Sequence, residues 1–146
     1  MKFDPKALLG KLDAKRLDAV IETMVIAAAA DGDLDAEERE QLLASIAALT
    51  QGPQGIAPSE HLNLPAMLER VLRDLREQGR EARLGVVAER LGDADKRKAA
   101  FGLSVEVTAT DGIVRTSERE FLLDLAGALQ IDRDEAADLV RLITKA

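Results

Sequence analysis

The chain contains no cysteine, tryptophan or tyrosine, only three phenylalanines and a single histidine. Without cysteine there are no disulfides, no thiolate metal sites and no cysteine nucleophile. The scarcity of aromatic residues disfavours sheet, because strands draw on aromatic and β-branched side chains. One histidine, His61, with no partner at ligand spacing, leaves neither an imidazole metal cluster nor a catalytic histidine pair. It reads as a surface loop residue. No apolar run approaches a membrane span. Val25 to Ala30 is apolar but much too short, and the charged N-terminus lacks the apolar stretch of a signal peptide. A cytoplasmic location is the expectation.

What the chain does have is alanine, leucine and charge. Hydrophobic residues make up 47% and charged residues 32% of its 146 residues. That composition folds, favours helices, and suits a single domain with a real core. The net charge of −7 is unevenly spread. Residues 1–50 and 101–146 each carry a balance of −4, whereas residues 65–100 carry +2. Acidic ends argue against broad binding to nucleic acid on electrostatic grounds. The basic middle keeps an anionic partner in view. No phosphate-binding loop or nucleophile–base pair is present, no small-molecule substrate is indicated, and a non-enzymatic protein is expected.

The most specific feature is a repeat. Ala30 to Thr50 reads ADGDLDAEEREQLLASIAALT and Thr110 to Gln130 reads TDGIVRTSEREFLLDLAGALQ. Asp31, Gly32, Glu38, Arg39, Glu40, Leu42, Leu43, Ala48 and Leu49 recur eighty residues later as Asp111, Gly112, Glu118, Arg119, Glu120, Leu122, Leu123, Ala128 and Leu129. Roughly two such matches would arise by chance in a chain of ordinary composition. The self-similarity predicts a duplicated supersecondary unit.

Periodicity and breakers predict about eight helices and no strand. A short first helix follows Asp4-Pro5. The next, after Asp13, carries Leu17, Val20, Ile21, Met24, Val25 and Ala28, and Gly32 closes it. Asp35 and Glu38 fit a capping box that opens the third helix, with Leu42, Leu43, Ile46, Ala47 and Leu49 facing the core. Gln51 to His61 is a long loop. Asn63 and Pro65 open a helix that Gly79 breaks, and another ends at Gly92. Asp93 caps a sixth, Thr116 or Ser117 a seventh, and Asp132 with Glu135 forms a capping-box pattern for the last. The resulting architecture is all-α. Two helical hairpins, approximately 14–50 and 93–130, pack about a pseudo-twofold axis with a central helical segment.

The Asp-Gly segments concentrate acid. Asp31, Asp33, Asp35, Glu37 and Glu38 fall within eight residues, the oxygen density that hard cations require. The spacing is not that of an EF-hand: the required glycine is Ala36 and the bidentate glutamate is Leu42. The second segment keeps Asp111 and Glu118 but has Arg115 where the first has Asp35. A site would therefore be stronger at the first segment. Asp31, Asp33, Asp35, Glu38, Asp111 and Glu118 are the candidate ligands, and oxygen donors alone favour calcium, magnesium or manganese. The competing reading is that Asp35 and Glu38 only cap a helix and the other acids are solvated. Two weaker features stand beside this one. Glu106, between Val105 and Val107, reads either as a buried acid or as part of a solvent stripe with Gly102 and Ala109. Arg73, Arg76, Arg80 and Arg83 form either a basic face or ordinary intrahelical pairs with Asp74, Glu77 and Glu81.

The segments AAAADGDLDAEERE and VTATDGIVRTSERE resemble the repeated Asp-Gly-x(4–5)-Glu-Glu signature of the TerB-like tellurite-resistance family. The resemblance covers most of the chain. It implies a compact helical fold, an acidic centre for a divalent metal, and a stress-response role with partner proteins, with membrane association as a further expectation. It points to Asp31 and Glu38 with Asp111 and Glu118. Ser117, where the first copy has Glu37, departs from the pattern. The alternative is a protein-interaction adaptor whose acidic segments are structural caps.

Overall fold

A computed structural model describes residues 14–29, 34–50, 63–108 and 116–144. Every regular element among these residues is an α-helix. They are α1 (Ala14–Ala28), α2 (Ala36–Thr50), α3 (Leu64–Gln78), α4 (Arg80–Leu91), α5 (Ala94–Thr108), α6 (Thr116–Ala128) and α7 (Arg133–Thr144). The expected first helix, the closure at Gly32 and the loop from Gln51 to His61 lie outside the described residues. The starts of α5 and α6 fall eighty residues after those of α1 and α2. The sequence repeat is therefore also a repeat of helix boundaries.

Two helices form the interior. Ala19 to Ala27 of α1 are all buried, and so are Ala99 to Val105 of α5. A helix enclosed on every side must carry small and apolar residues around its whole circumference. Alanines on both helices, with Gly102 and Ser104 on α5, supply the small ones, and α1 and α5 form the most extensive helix contact of the fold. The hydroxyls of Thr23 and Ser104 donate to the carbonyls of Ala19 and Ala100, so neither is left unsatisfied inside. The remaining helices each lay one apolar stripe on this pair. In α3 it is Leu64, Leu68, Val71 and Leu72, in α4 Leu84, Val87 and Leu91, and in α7 Ala136, Leu139 and Val140. Each fully buried Leu, Val or Phe contributes about 1.5–3 kcal/mol of transfer free energy.

The contacts follow one scheme in both halves. Helix α1 touches α2 and α3, which touch each other; α5 touches α6 and α7, which likewise touch. Helix α4 packs chiefly on α1.

The start and stop signals are largely realised. Asn63 Oδ1 accepts from the Ala66 N–H at 3.1 Å, and Pro65 sits in the first turn of α3. Asp93 Oδ1 accepts from the Lys96 N–H at 2.8 Å and its other oxygen holds the Lys96 ammonium, which keeps the carboxyl below the usual aspartate range. Gly79 alone separates α3 from α4, at φ 86 and ψ 157. That conformation is essentially restricted to glycine, so the one-residue joint needs it. Two signals are read differently by the structure. Helix α6 begins at Thr116, so Thr116 and Ser117 lie within it rather than before it. Asp132 Oδ2 accepts from the N–H groups of Asp134 and Glu135. The Glu135 carboxylate does not complete the box but pairs with Lys98 on α5 at 3.0 Å.

The basic middle of the chain turns inward. Glu22 on α1 is fully buried and receives the Arg83 guanidinium of α4 in a forked pair, Nε to Oε2 at 2.7 Å and Nη2 to Oε1 at 2.8 Å. Arg83 Nη1 also donates to Gln78 Oε1 at 3.2 Å. The hydrogen bond to Glu22 raises the Arg83 pKa against the opposing effect of burial, so the guanidinium stays charged. One turn earlier on α1, Asp18 takes Arg70 of α3 on one oxygen and Arg90 of α4 at 3.4 Å on the other. The four arginines read as one stripe are thus divided. Arg83 is internal, Arg80 lies over the Phe121 ring at 4.9 Å, Arg73 makes a loose 3.7 Å pair with Asp74, and Arg76 is exposed.

Removing one partner of a buried pair leaves the other charge uncompensated, which costs about 3–5 kcal/mol. Glu22→Gln or Arg83→Met should therefore each destabilise the protein by that order in denaturant unfolding. The double variant Glu22→Leu with Arg83→Met should recover much of the loss. A double-variant loss equal to the sum of the two single losses would show that the pair is not coupled.

Candidate functional site

The acidic segments connect the central helices to the outer ones. The Arg16 guanidinium lies against Gly92, with Nη2 3.8 Å from where a β-carbon would sit, so the start of α5 adjoins the start of α1. Two helices that start together and pack along their lengths run in the same direction. Their C-terminal ends, from which both Asp-Gly segments lead off in the sequence, therefore share one end of the molecule.

Asp35 and Glu38 form a reciprocal capping box at the start of α2. The Glu38 N–H donates to Asp35 Oδ1 at 2.7 Å, and the Asp35 N–H donates to Glu38 Oε1 at 3.0 Å. Two N–H groups that the helix itself cannot satisfy are thereby paired. Both side chains are exposed. Each carboxylate spends one oxygen on the box, and Asp35 Oδ2 and Glu38 Oε2 make no hydrogen bond among the described residues. The box therefore leaves one donor oxygen on each residue for a cation. Glu118, the repeat partner of Glu38, is half-buried in the first turn of α6.

Asp31, Asp33 and Asp111 lie outside the described residues. Among the described residues, no three acidic or histidine side chains come together as a metal cage would require. Glu106 is exposed, although Gly102, grouped with it as a solvent stripe, is buried. His61 is outside the described residues. No helix among the described residues is long and apolar enough to cross a membrane.

The residues that sequence reasoning passed over are Asp18 and Glu22. Glu22 falls between the apolar positions Ile21 and Met24 and reads as the polar side of an amphipathic helix. The signal was nevertheless present. Ala19, Ile26 and Ala27 widen the apolar arc of α1 until no solvent face remains, and an acid on such a helix must find an internal cation.

The chain matches no protein-family model, no curated protein and no solved structure.

The capping geometry fixes the effect of substitution at Asp35. Asn caps about as well as Asp, whereas Ala loses on the order of 1 kcal/mol. In cation-free buffer Asp35→Asn should melt near the wild-type temperature and Asp35→Ala below it. A loss in Asn equal to that in Ala would show that charge, rather than the cap bond, holds this helix start.

Proposed function

We propose that the chain is a TerB-like helical domain that binds a divalent cation through its duplicated acidic segments and acts, without catalysis, in a stress response through partner proteins. The observation that carries this reading is the pair of central helices. They begin together, run the same way, and each leads into an Asp-Gly segment followed by a glutamate in the first turn of the next helix. Because both central helices end on the same side of the molecule, the segments that follow them in sequence support a reading in which one ion is shared. The equal spacing of helix starts and the matching neighbours of α1 and α5 support a pseudo-twofold relation between the hairpins 14–50 and 93–130.

The ligand set is Asp31, Asp33, Asp35 and Glu38, with Asp111 and Glu118 from the second copy. The first segment dominates because it carries more carboxylates, and Arg115 opposes a cation at the second. Oxygen donors select calcium, magnesium or manganese over zinc. A second reading is favoured by the reciprocal Asp35–Glu38 box: the domain is a protein-interaction adaptor whose acids cap helices and nothing more. The cytoplasm is the compartment consistent with either.

Calorimetric titration of metal-free protein separates the two. Wild type should bind calcium, magnesium or manganese with heat and a raised melting temperature. Asp31→Asn with Glu38→Gln should weaken binding more than Asp111→Asn with Glu118→Gln. The Asp35→Asn variant, neutral as a cap, should lose much of the cation-induced rise. Absence of binding would leave the adaptor reading, and equal effects from the two pairs would overturn the dominance of the first segment.

A further inference from the structure

The two copies differ at one crevice. In the first copy Arg39 of α2 reaches across to α3, donating from Nη1 to Glu69 Oε1 at 2.6 Å and from Nε to the Leu34 carbonyl at 3.2 Å. Its repeat partner is Arg119 of α6, which faces the corresponding helix α7. Counted from the caps Asn63 and Asp132, the residue of α7 that matches Glu69 is Asp138. Asp138 does not meet Arg119; it pairs with Arg141 on its own helix. The α6–α7 crevice stays open there as a groove of about 250 Å³, lined among others by Arg119, Leu123, Arg133, Asp134, Val140 and Arg141.

Arg119 and Arg133 make no ion pair or hydrogen bond through their side chains among the described residues. By contrast, Arg39, Arg70, Arg83, Arg90 and Arg97 are all engaged within the fold. We propose that this groove binds a segment of a partner protein that presents a carboxylate beside an apolar side chain, replacing the intramolecular link of the first copy. The volume lies below the roughly 300–1,000 Å³ typical of small-molecule sites, and suits one anchoring side chain. Two unpaired guanidinium groups above an apolar floor match a carboxylate and its neighbour. A wider groove of about 440 Å³ adjoins at Leu123 and Arg133, but there Glu120 and Asp124 outweigh the single guanidinium of Arg133 and repel an acidic segment, whereas in the smaller groove Asp134 stands against both Arg119 and Arg133. The bound segment is thereby directed along the α7 side. The site is independent of the cation reading and occupies other residues.

The test is fluorescence anisotropy with a short labelled amphipathic peptide of glutamate and leucine, run with a chelator present so that no cation contributes. The control peptide carries glutamine for every glutamate. The glutamate peptide should bind, and added salt should weaken it. Arg119→Ala with Arg133→Ala should raise Kd about tenfold or more. Because both arginines are exposed, the melting temperature should hold. Ala137→Glu, which places an internal carboxylate in the groove, should weaken binding in the same way. Absence of binding, equal binding of the glutamine peptide, indifference to both variants, or binding to anionic lipid vesicles without binding to the peptide would each overturn the proposal.

Discussion

The forked pair between Glu22 and Arg83 is the constraint around which the helices are arranged. A fully buried carboxylate is tolerated only where its charge and its lone pairs are met, and a planar guanidinium meets both at once. That requirement sets the rotation of α1, because Glu22 must face α4. It also sets the register of α4, because Arg83 must arrive opposite Glu22. With Asp18 one turn away holding Arg70 and Arg90, the acidic side of α1 becomes the seam on which α3 and α4 are mounted. The positive balance of residues 65–100 is therefore in good part an internal counter-charge.

The repeat and this seam together explain how two similar halves came to differ. The helix starts keep their eighty-residue spacing, and Leu42 and Ile46 are buried as are Leu122 and Ala126 at the matching positions. On the central helices the polar positions diverge. Asp18 corresponds to Lys98 and Glu22 to Gly102. Lys98 reaches α7 through Glu135 with reversed sign, in a half-exposed pair of small energetic weight. Gly102 offers no charge, and α4 accordingly packs far more on α1 than on α5. The repeated segments share their helix starts and buried apolar positions, and the differing polar positions on α1 and α5 accompany different neighbours.

The acidic segments show how one residue carries two chemistries. A carboxylate at a helix start accepts N–H bonds through one oxygen and leaves another facing solvent. Capping and cation binding are thus compatible at Asp35 and Glu38. What distinguishes the two roles is the convergence of further oxygens, which depends on how the neighbouring backbone turns.

The all-helical class, the helix boundaries at Asn63, Gly79, Gly92 and Asp93, the capping box at Asp35 and Glu38, and the eighty-residue spacing of helix starts were all legible in the chain. Each rests on local chemistry: a cap bond spans three residues, a glycine relieves a local backbone clash, and an apolar stripe follows the helical period. The long-range pairings were not. Nothing near Glu22 announces Arg83, which lies sixty-one residues away, and Arg83 itself belongs to a stripe that resembles ordinary surface pairing. The same holds for Arg39 and Arg119, each set in a Glu-Arg-Glu triplet, where one finds Glu69 and the other borders an open groove. Which side of a helix is inside, and which charge meets which, depends on how separate elements pack. That information resides in the tertiary structure, because desolvation and ion pairing act through space rather than along the chain.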